Sequence, residues 1–145
     1  MTNPPDSDER LERLRAASQR PNVHQHLGVE IEVATPARVV LSVAVGPTHH
    51  QPFGILHGGV SALLAEGAAS FGGALNCGVD EIVVGTELNC SHLRSMSEGT
   101  LRAVATPLRL GRRVQVWGID LLDERERLIC VARCTLQVLP APPPY

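Results

Sequence analysis

The sequence is poor in aromatic residues, which make up 3% of its 145 residues. It also lacks an excess of positive charge, because 13 basic residues stand against 15 acidic ones and give a net charge of −2. Domains that bind nucleic acids usually carry a strong basic excess and aromatic side chains on which bases stack. The composition therefore argues against a nucleic-acid partner.

Long apolar runs are missing as well. No uninterrupted stretch of the sequence approaches the roughly 20 apolar residues of a membrane-spanning helix. The N-terminus, MTNPPDSDERLER, does not have the basic-then-apolar order of a signal peptide. Hydrophobic residues still make up 43% of the chain, which is enough for the core of one globular domain. We therefore expect a cytoplasmic protein with no membrane partner.

The cysteines and histidines do not predict a metal site. The sequence has no Cys-x-x-Cys pair and no Cys/His cluster with the spacing of structural zinc. His24 lies close to His26 and His49 is next to His50, but no second group of ligands supports either pair. We expect no metal, no cofactor and four buried free thiols, at Cys77, Cys90, Cys130 and Cys134.

The hydrophobic pattern predicts a short N-terminal helix, one long helix and a series of strands. Ser7 or Asp8 can cap the first helix, which has a narrow apolar stripe and ends near Gln19, before Pro21. The long helix is expected over 58–76, and strands over 29–34, 38–45, 82–92, 99–107, 113–122 and 128–138. This divides the chain into a tail with a short helix (1–21), one domain (22–139) and a proline-rich tail (140–145).

The long helix is apolar or small on nearly all sides, which is typical of a helix buried all round. It contains five glycines, and each costs about 1 kcal/mol relative to alanine in a helix interior. Something must therefore approach this helix closely. We predict an α+β fold in which an antiparallel sheet of five or six strands wraps around one long central helix, with a short helix at the N-terminus.

Glu66 is the only acidic side chain between Phe53 and Val79. No Lys or Arg lies three or four positions from it, and Ser70 is the only polar side chain one turn away. An unpaired carboxylate in apolar surroundings costs several kcal/mol. Two interpretations remain open: a distant arginine or solvent satisfies Glu66, or it is a catalytic carboxylate in a nearly dry cleft.

The start of the long helix is suited to holding a carbonyl oxygen. The loop from Gln51 enters the helix through His57 and two glycines, and the free N–H groups of a helix N-terminus favour a polarised oxygen. His57 and Glu66 are nine positions apart, or about 13 Å of helix rise. One chain therefore cannot easily bring both to one carbonyl, whereas two antiparallel chains could.

The segment from His57 to Glu66, HGGVSALLAE, resembles the helix signature of hotdog-fold acyl-CoA thioesterases of the PaaI-like branch, which includes aromatic acyl-CoA thioesterases. The similarity covers residues 22–139 and continues in order through four blocks: VVGTELN from Val83, SHLR from Ser91, GRRVQVW from Gly111 and DLLDE from Asp120.

This resemblance implies hydrolysis of an aryl-CoA or related acyl-CoA by a homo-oligomer, a dimer of dimers with sites at subunit interfaces. Glu66 would be the nucleophile or the general base, and Ser70 would assist it. Gln51, His57 and the Gly58 N–H of the opposite chain would orient and polarise the thioester carbonyl. The candidate CoA-binding residues are His92, Arg94, Ser95, Arg109, Arg112 and Arg113, and the four arginines are expected to cluster in the strand-end regions that the family uses for the nucleotide.

Two other functions stay open. A hotdog dehydratase or hydratase also has a carboxylate on the central helix, but it pairs that carboxylate with a histidine in a preceding proline-rich loop. His57 lies instead at the helix start. A non-catalytic protein would bind acyl-CoA without turning it over. The sequence does not specify the acyl group.

Overall fold

The structure, a computed structural model, describes residues 7–142, so the tails predicted for 1–6 and 143–145 lie outside the described residues. The helices are α1 (Ser7–Ser18), α2 (Val23–His26) and α3 (Gly58–Leu75), and a 3-10 turn covers Pro47–His49. The strands are β1 (Glu30–Thr35), β2 (Arg38–Val45), β3 (Glu81–His92), β4 (Gly99–Leu110), β5 (Val114–Leu122) and β6 (Leu128–Pro140). None of the helices between residues 7 and 142 has the length and apolar character that a membrane crossing requires.

The six strands form one antiparallel sheet in the order β1-β2-β4-β5-β6-β3. Helix α3 packs against this sheet and contacts every one of its strands. The sheet around a single long helix, with a short helix before it, confirms the predicted fold class and fixes the number of strands at six.

The core lies between α3 and the face of the sheet that covers it. Successive side chains of a strand point to opposite faces, so every second residue of β2 is directed at the helix. The resulting inward row is buried and consists of Val39, Leu41, Val43 and Val45. Full burial of a valine or leucine side chain stabilises the fold by about 1.5–3 kcal/mol. On the helix side the same cluster contains Leu64, Ala65, Ala68 and Ala69.

Two glycines of α3, Gly72 and Gly73, lie where side chains of the sheet meet the helix. A Cβ on Gly72 would collide with the indole of Trp117, and a Cβ on Gly73 would collide with Leu136. The Trp117 indole N–H donates to Gln115 Oε1 at 3.1 Å, and Gln115 Nε2 donates to the Gly73 carbonyl oxygen at 3.3 Å. The close approach that the glycines predicted is therefore confirmed, and a buried polar link adds to it.

Two strands are longer than the sequence pattern indicated. β4 continues past Pro107 to Leu110, because a bulge between Pro107 and Arg109 accommodates a residue that has no N–H to donate. β6 continues to Pro140, which is its last paired residue, and Ala141 N then donates to the Asp80 carbonyl oxygen at 2.7 Å.

The N-terminal segment also differs in detail. α1 ends at Ser18, and Asp8 lies inside its first turn, so Asp8 does not cap the helix. The short helix α2 was not predicted; Asn22 caps it by accepting the N–H of Gln25 at 3.1 Å. Arg10, on the polar face expected for α1, is buried.

Candidate active site

His57 is the N-cap of α3, and its side chain uses one ring nitrogen for this purpose. Nδ1 accepts the N–H of Gly59 at 2.8 Å, while the His57 backbone N–H donates to His49 O at 2.9 Å. A neutral imidazole that accepts at Nδ1 carries its proton on Nε2 and can donate from there. The N–H of Gly58 has no acceptor among the described residues. Two donors are thus available at the helix start.

The start of α3 opens onto a small cavity of about 340 Å³, which we call the helix-mouth cavity. Five of the residues predicted for the site line it: Gln51, Gly58, His92, Arg94 and Ser95. The Gln51 side-chain oxygen accepts the Phe53 N–H, which leaves its amide nitrogen as a donor. The His92 ring lies so close to the helix that a Cβ on Gly58 would be 2.9 Å from His92 Nε2. Only glycine fits at this position without a shift of the ring.

Glu66 faces a different space, an open cleft of about 800 Å³ that we call the Glu66 cleft. Its walls are mainly apolar and include Leu63, Phe71 and Leu88. Glu66 is half-buried, and its carboxylate lies against the backbone of Gly85 on β3, where a Cβ would collide with Oε1. Within residues 7–142 the carboxylate has no hydrogen bond, and no arginine forms an ion pair with it. No arginine of the described chain therefore satisfies Glu66, whereas contact with solvent stays open because the half-buried side chain lines an open cleft.

Ser70 and His24 share this cleft with Glu66. Ser70 lies one turn further along α3, as predicted, but makes no hydrogen bond to Glu66 in the described part of the chain. His24, on α2, packs against Gly67, and burial lowers the pKa of its imidazole below the ordinary value of 6.5. Sequence reasoning considered His24 only as a metal ligand, and no local signal placed it beside Glu66.

The thiols behind the cleft are not nucleophiles. All four cysteines are free; Cys77, Cys130 and Cys134 are buried as predicted, and Cys90 is half-buried. Burial, with the nearby charge of Glu66 as a second cause, raises the pKa of Cys134 to about 12. Burial also raises the pKa of Cys130 to about 12. Since the thiolate is the reactive form, these side chains stay unreactive near neutral pH.

The predicted arginine cluster does not form within one chain. Arg94 follows the end of β3 near Ile129 of β6, to which its N–H donates at 3.2 Å. The β4–β5 hairpin, which carries Arg109, Arg112 and Arg113, meets β6 near Gln137 instead. Eight residues of strand separate Ile129 and Gln137, or about 26 Å. The expectation that all four arginines lie together was wrong for a single chain, because strand direction places them at opposite ends of the sheet.

The site residues therefore fall into three groups in one chain. Glu66 and Ser70 line the Glu66 cleft, Gln51 and Gly58 line the helix-mouth cavity, and His57 and the hairpin arginines line neither. Among residues 7–142, no set of three or more His, Cys, Asp or Glu side chains is arranged to hold a metal ion.

The chain is similar to two curated bacterial proteins with related names. A 1,4-dihydroxy-2-naphthoyl-CoA hydrolase of Listeria monocytogenes is 44% identical over 116 residues, which cover 80% of this chain and 94% of that protein. A proofreading thioesterase of Cronobacter turicensis is 42% identical over 129 residues, which cover 89% of this chain and 93% of that protein.

The chain is also similar to solved structures of thioesterases. A thioesterase from Haemophilus influenzae matches with a TM-score of 0.83 at 41% identity, over 90% of each chain. The PaaI protein of Escherichia coli, at 18% identity, has a TM-score of 0.83 over 93% of this chain and 96% of that one, which shows the same fold. The family model of the thioesterase superfamily matches residues 53–130, from the loop before α3 to β6. The chain therefore belongs to the thioesterase superfamily, has the hotdog fold and is an enzyme of the thioester hydrolase class.

Proposed function

We propose that this protein hydrolyses acyl-CoA thioesters to a free acid and CoA, with Glu66 as the reacting carboxylate, at sites shared by two subunits. The observation that carries the proposal is the Glu66 carboxylate, half-buried beside an apolar cleft and unpaired among the described residues. A stabilising role would require a partner, because a carboxylate in such surroundings is costly when unpaired. The names of the relatives support a CoA thioester as the substrate class.

The start of α3 supplies the groups that polarise the substrate. In the proposed site the thioester carbonyl oxygen accepts the free N–H of Gly58. The Nε2–H of His57 and the side-chain amide of Gln51 fix its orientation. These donors are in place before the reaction, so they favour the negative charge that develops on the oxygen. One such donor lowers a barrier by about 2.7–4 kcal/mol.

Glu66 of the other subunit then acts on the carbonyl carbon. As a nucleophile it forms a mixed anhydride, which water hydrolyses; as a general base it takes a proton from the attacking water. In both routes the C–S bond breaks, the CoA sulfur leaves as a thiol and the acid is released. The Ser70 hydroxyl, which lines the same cleft, would hold the water.

CoA needs cationic groups for its phosphates. Arg94, with His92 and Ser95, lines the helix-mouth cavity next to the carbonyl-orienting groups, and a guanidinium suits phosphate through its planar set of donors. Arg109, Arg112 and Arg113 can reach the same CoA only from another subunit, which fits a dimer of dimers. That assembly and a cytoplasmic location stay predictions.

The loop histidines do not support a dehydratase. His49 lies in the proline-containing loop before α3, but its Nδ1 accepts the Gly46 N–H at 3.1 Å and its Nε2 bonds Leu27 O at 2.8 Å. His50 Nε2 bonds Ser97 O at 2.7 Å. The backbone engages both ring nitrogens of His49 and Nε2 of His50, so none of these three nitrogens is free to act with Glu66, and hydrolysis is favoured.

The release of thiol from a panel of acyl-CoAs, including benzoyl-CoA and palmitoyl-CoA, tests the proposal. A chromogenic disulfide detects the thiol. Glu66→Gln should lower kcat by about a thousandfold or more, since both a nucleophile and a base need the carboxylate. Glu12→Gln, on the exposed face of α1, is the matched control and should leave kcat unchanged. Acyl-CoA binding without thiol release by the wild type would identify a binding protein instead. Water addition or removal without thiol release would identify a dehydratase.

A further inference from the structure

Arg10 of α1 is a buried cation that has no ion-pair partner in the described part of the chain. Its residue is 8% exposed, and Nε and Nη1 have no hydrogen-bond acceptor within residues 7–142. A guanidinium carries five N–H donors, and leaving them unsatisfied in a buried place is costly. The site of Arg10 therefore has room for an acceptor that residues 7–142 do not supply.

The two carboxylates that line the same cavity as Arg10 are engaged elsewhere. Glu9 pairs with Arg13 on the outside of α1, and the Glu81 side chain accepts the N–H of Gly78. Neither forms an ion pair with Arg10. The remaining titratable neighbour is Cys77, whose thiol has a pKa raised by burial and so stays neutral.

Arg10 lines a cavity of about 330 Å³, which we call the Arg10 cavity. Its other walls are largely apolar and include Val79, Ile82 and Val83. Leu14 and Ser70 belong both to this cavity and to the Glu66 cleft, so the two spaces adjoin at these side chains.

The adjoining spaces give a path of defined length along α3. Ser70 is four positions after Glu66, and Ala74, which lines the Arg10 cavity, is four positions further. Each step is about 6 Å of helix rise, so the path from Glu66 to the level of Ala74 is about 12 Å. An acyl group that reacts at Glu66 and extends along this path would end near Arg10.

We propose that the Arg10 cavity is the distal end of the acyl site and that Arg10 binds an oxygen acceptor, a carboxylate or a phenolic oxygen, at the far end of the acyl group. The inference rests on the proposed function and names its substrate class: acyl-CoAs with a polar or anionic terminus beyond an apolar middle. Charge-assisted hydrogen bonds to a guanidinium are among the stronger ones in proteins, so removing this contact should be measurable.

Two matched substrate pairs test the proposal and separate the two oxygen sources. Suberoyl-CoA against octanoyl-CoA tests a carboxylate, and 4-hydroxycinnamoyl-CoA against cinnamoyl-CoA tests a phenol. In at least one pair the wild type should prefer the oxygen-bearing member by about tenfold or more in kcat/KM. Arg10→Met should abolish that preference, Arg10→Lys should keep part of it, and Arg15→Met, on α1 but outside the Arg10 cavity, should keep all of it.

A binding measurement without turnover completes the test. Suberate or 4-hydroxycinnamate should raise the melting temperature of the wild type and of Arg15→Met, but not that of Arg10→Met. The proposal would be overturned if Arg10→Met lowered kcat/KM equally for both members of each pair and if suberate and 4-hydroxycinnamate did not raise the melting temperature of the wild type. Matching destabilisation by Arg10→Met and Glu81→Gln would also overturn it, since that result would show a structural ion pair. If no acyl-CoA releases thiol, the proposed function fails. The change in melting temperature with suberate or 4-hydroxycinnamate still decides the role of Arg10.

Discussion

At the residue scale, a glycine in the neighbouring strand sets the position of the Glu66 carboxylate. Gly85 lies beside a bulge of β3, and a Cβ there would collide with Glu66 Oε1 and lie 3.2 Å from its Cδ. The carboxylate contacts bare backbone and has no fixed hydrogen bond among the described residues. It can therefore remain available to a substrate, which a carboxylate held in a structural ion pair cannot.

Gly85→Ala should separate activity from stability. The group that must move is the flexible end of Glu66, so the fold should tolerate the added methyl while the carboxylate is displaced. A displacement of about 1 Å can cost up to ~100-fold in rate, and we expect kcat to fall about 10–100-fold with little change in melting temperature. Gly118→Ala is the control, because its Cβ would make ordinary contact with Leu108 at 3.4–3.5 Å. Unchanged kcat in Gly85→Ala would contradict this role.

His24 makes stability depend on pH. Its folded pKa is lowered by burial, so the unfolded chain binds a proton on this side chain more readily than the folded chain does. As the pH falls below 6.5, the ordinary value, the free energy of unfolding should decrease until the folded pKa is passed. Urea unfolding over this range should show a smaller decrease in His24→Gln than in the wild type. The Glu66 carboxylate shares the cleft with His24 and carries a charge of its own. The wild-type His24 and the His24→Gln change are therefore also compared in a chain that carries Glu66→Gln.

The exposed His26, two positions along α2, is the matched control for that measurement. His26→Gln should retain the wild-type decrease in the free energy of unfolding. If the free energy of unfolding decreased equally with falling pH in His24→Gln and His26→Gln, burial of His24 would not act on stability.

At the scale of elements, the parts that were predicted correctly are those whose signal is local. α3 covers Gly58–Leu75, within one residue of the expected end, because its unbroken run of small and apolar residues permits no other regular structure. The alternating rows of β2 and β6 likewise follow from a period of two. The extension of β4 past Pro107 depends on a partner strand that accepts a bulge, and no local pattern contains that information.

Gly72→Ala tests the contact between α3 and β5. Alanine improves helix propensity by about 1 kcal/mol, but its methyl would enter the fully buried indole of Trp117. The indole N–H of Trp117 is hydrogen-bonded to Gln115, which restrains the ring. The cost of overpacking should therefore exceed the gain in helix propensity, and the free energy of unfolding should fall by about 1–3 kcal/mol. Urea unfolding measures this change. Gly46→Ala, where a Cβ meets nothing within 4 Å, should be close to neutral; equal effects of the two would contradict the packing argument.

At the scale of the whole molecule, one chain holds two incomplete halves of the proposed site. Glu66 and Ser70 line one space, while Gln51, Gly58 and His92 line another. In the proposed mechanism, a carbonyl held at the helix mouth of one subunit reacts in the Glu66 cleft of a second subunit.

Mixing two inactive variants tests this division. Glu66→Ala and His57→Ala chains, co-refolded in equal amounts, should recover part of the wild-type thiol release, since mixed interfaces contain one intact set of groups. Each variant refolded alone, and mixed with itself, is the control. Subunit exchange is verified with differently tagged chains; exchange without any recovered activity would contradict a site shared between subunits.

The sequence by itself determined the central helix, the alternating strands, the isolation of Glu66 and the resemblance to thioesterases, because each depends on residues that are near one another in the chain. The tertiary structure decided which groups face which space. It placed Glu66 against Gly85, brought His24 into the same cleft, buried Arg10 without a partner among the described residues and set the hairpin arginines at the other end of the sheet from Arg94. Strand order and direction fix these relations, and they arise only when distant segments pair.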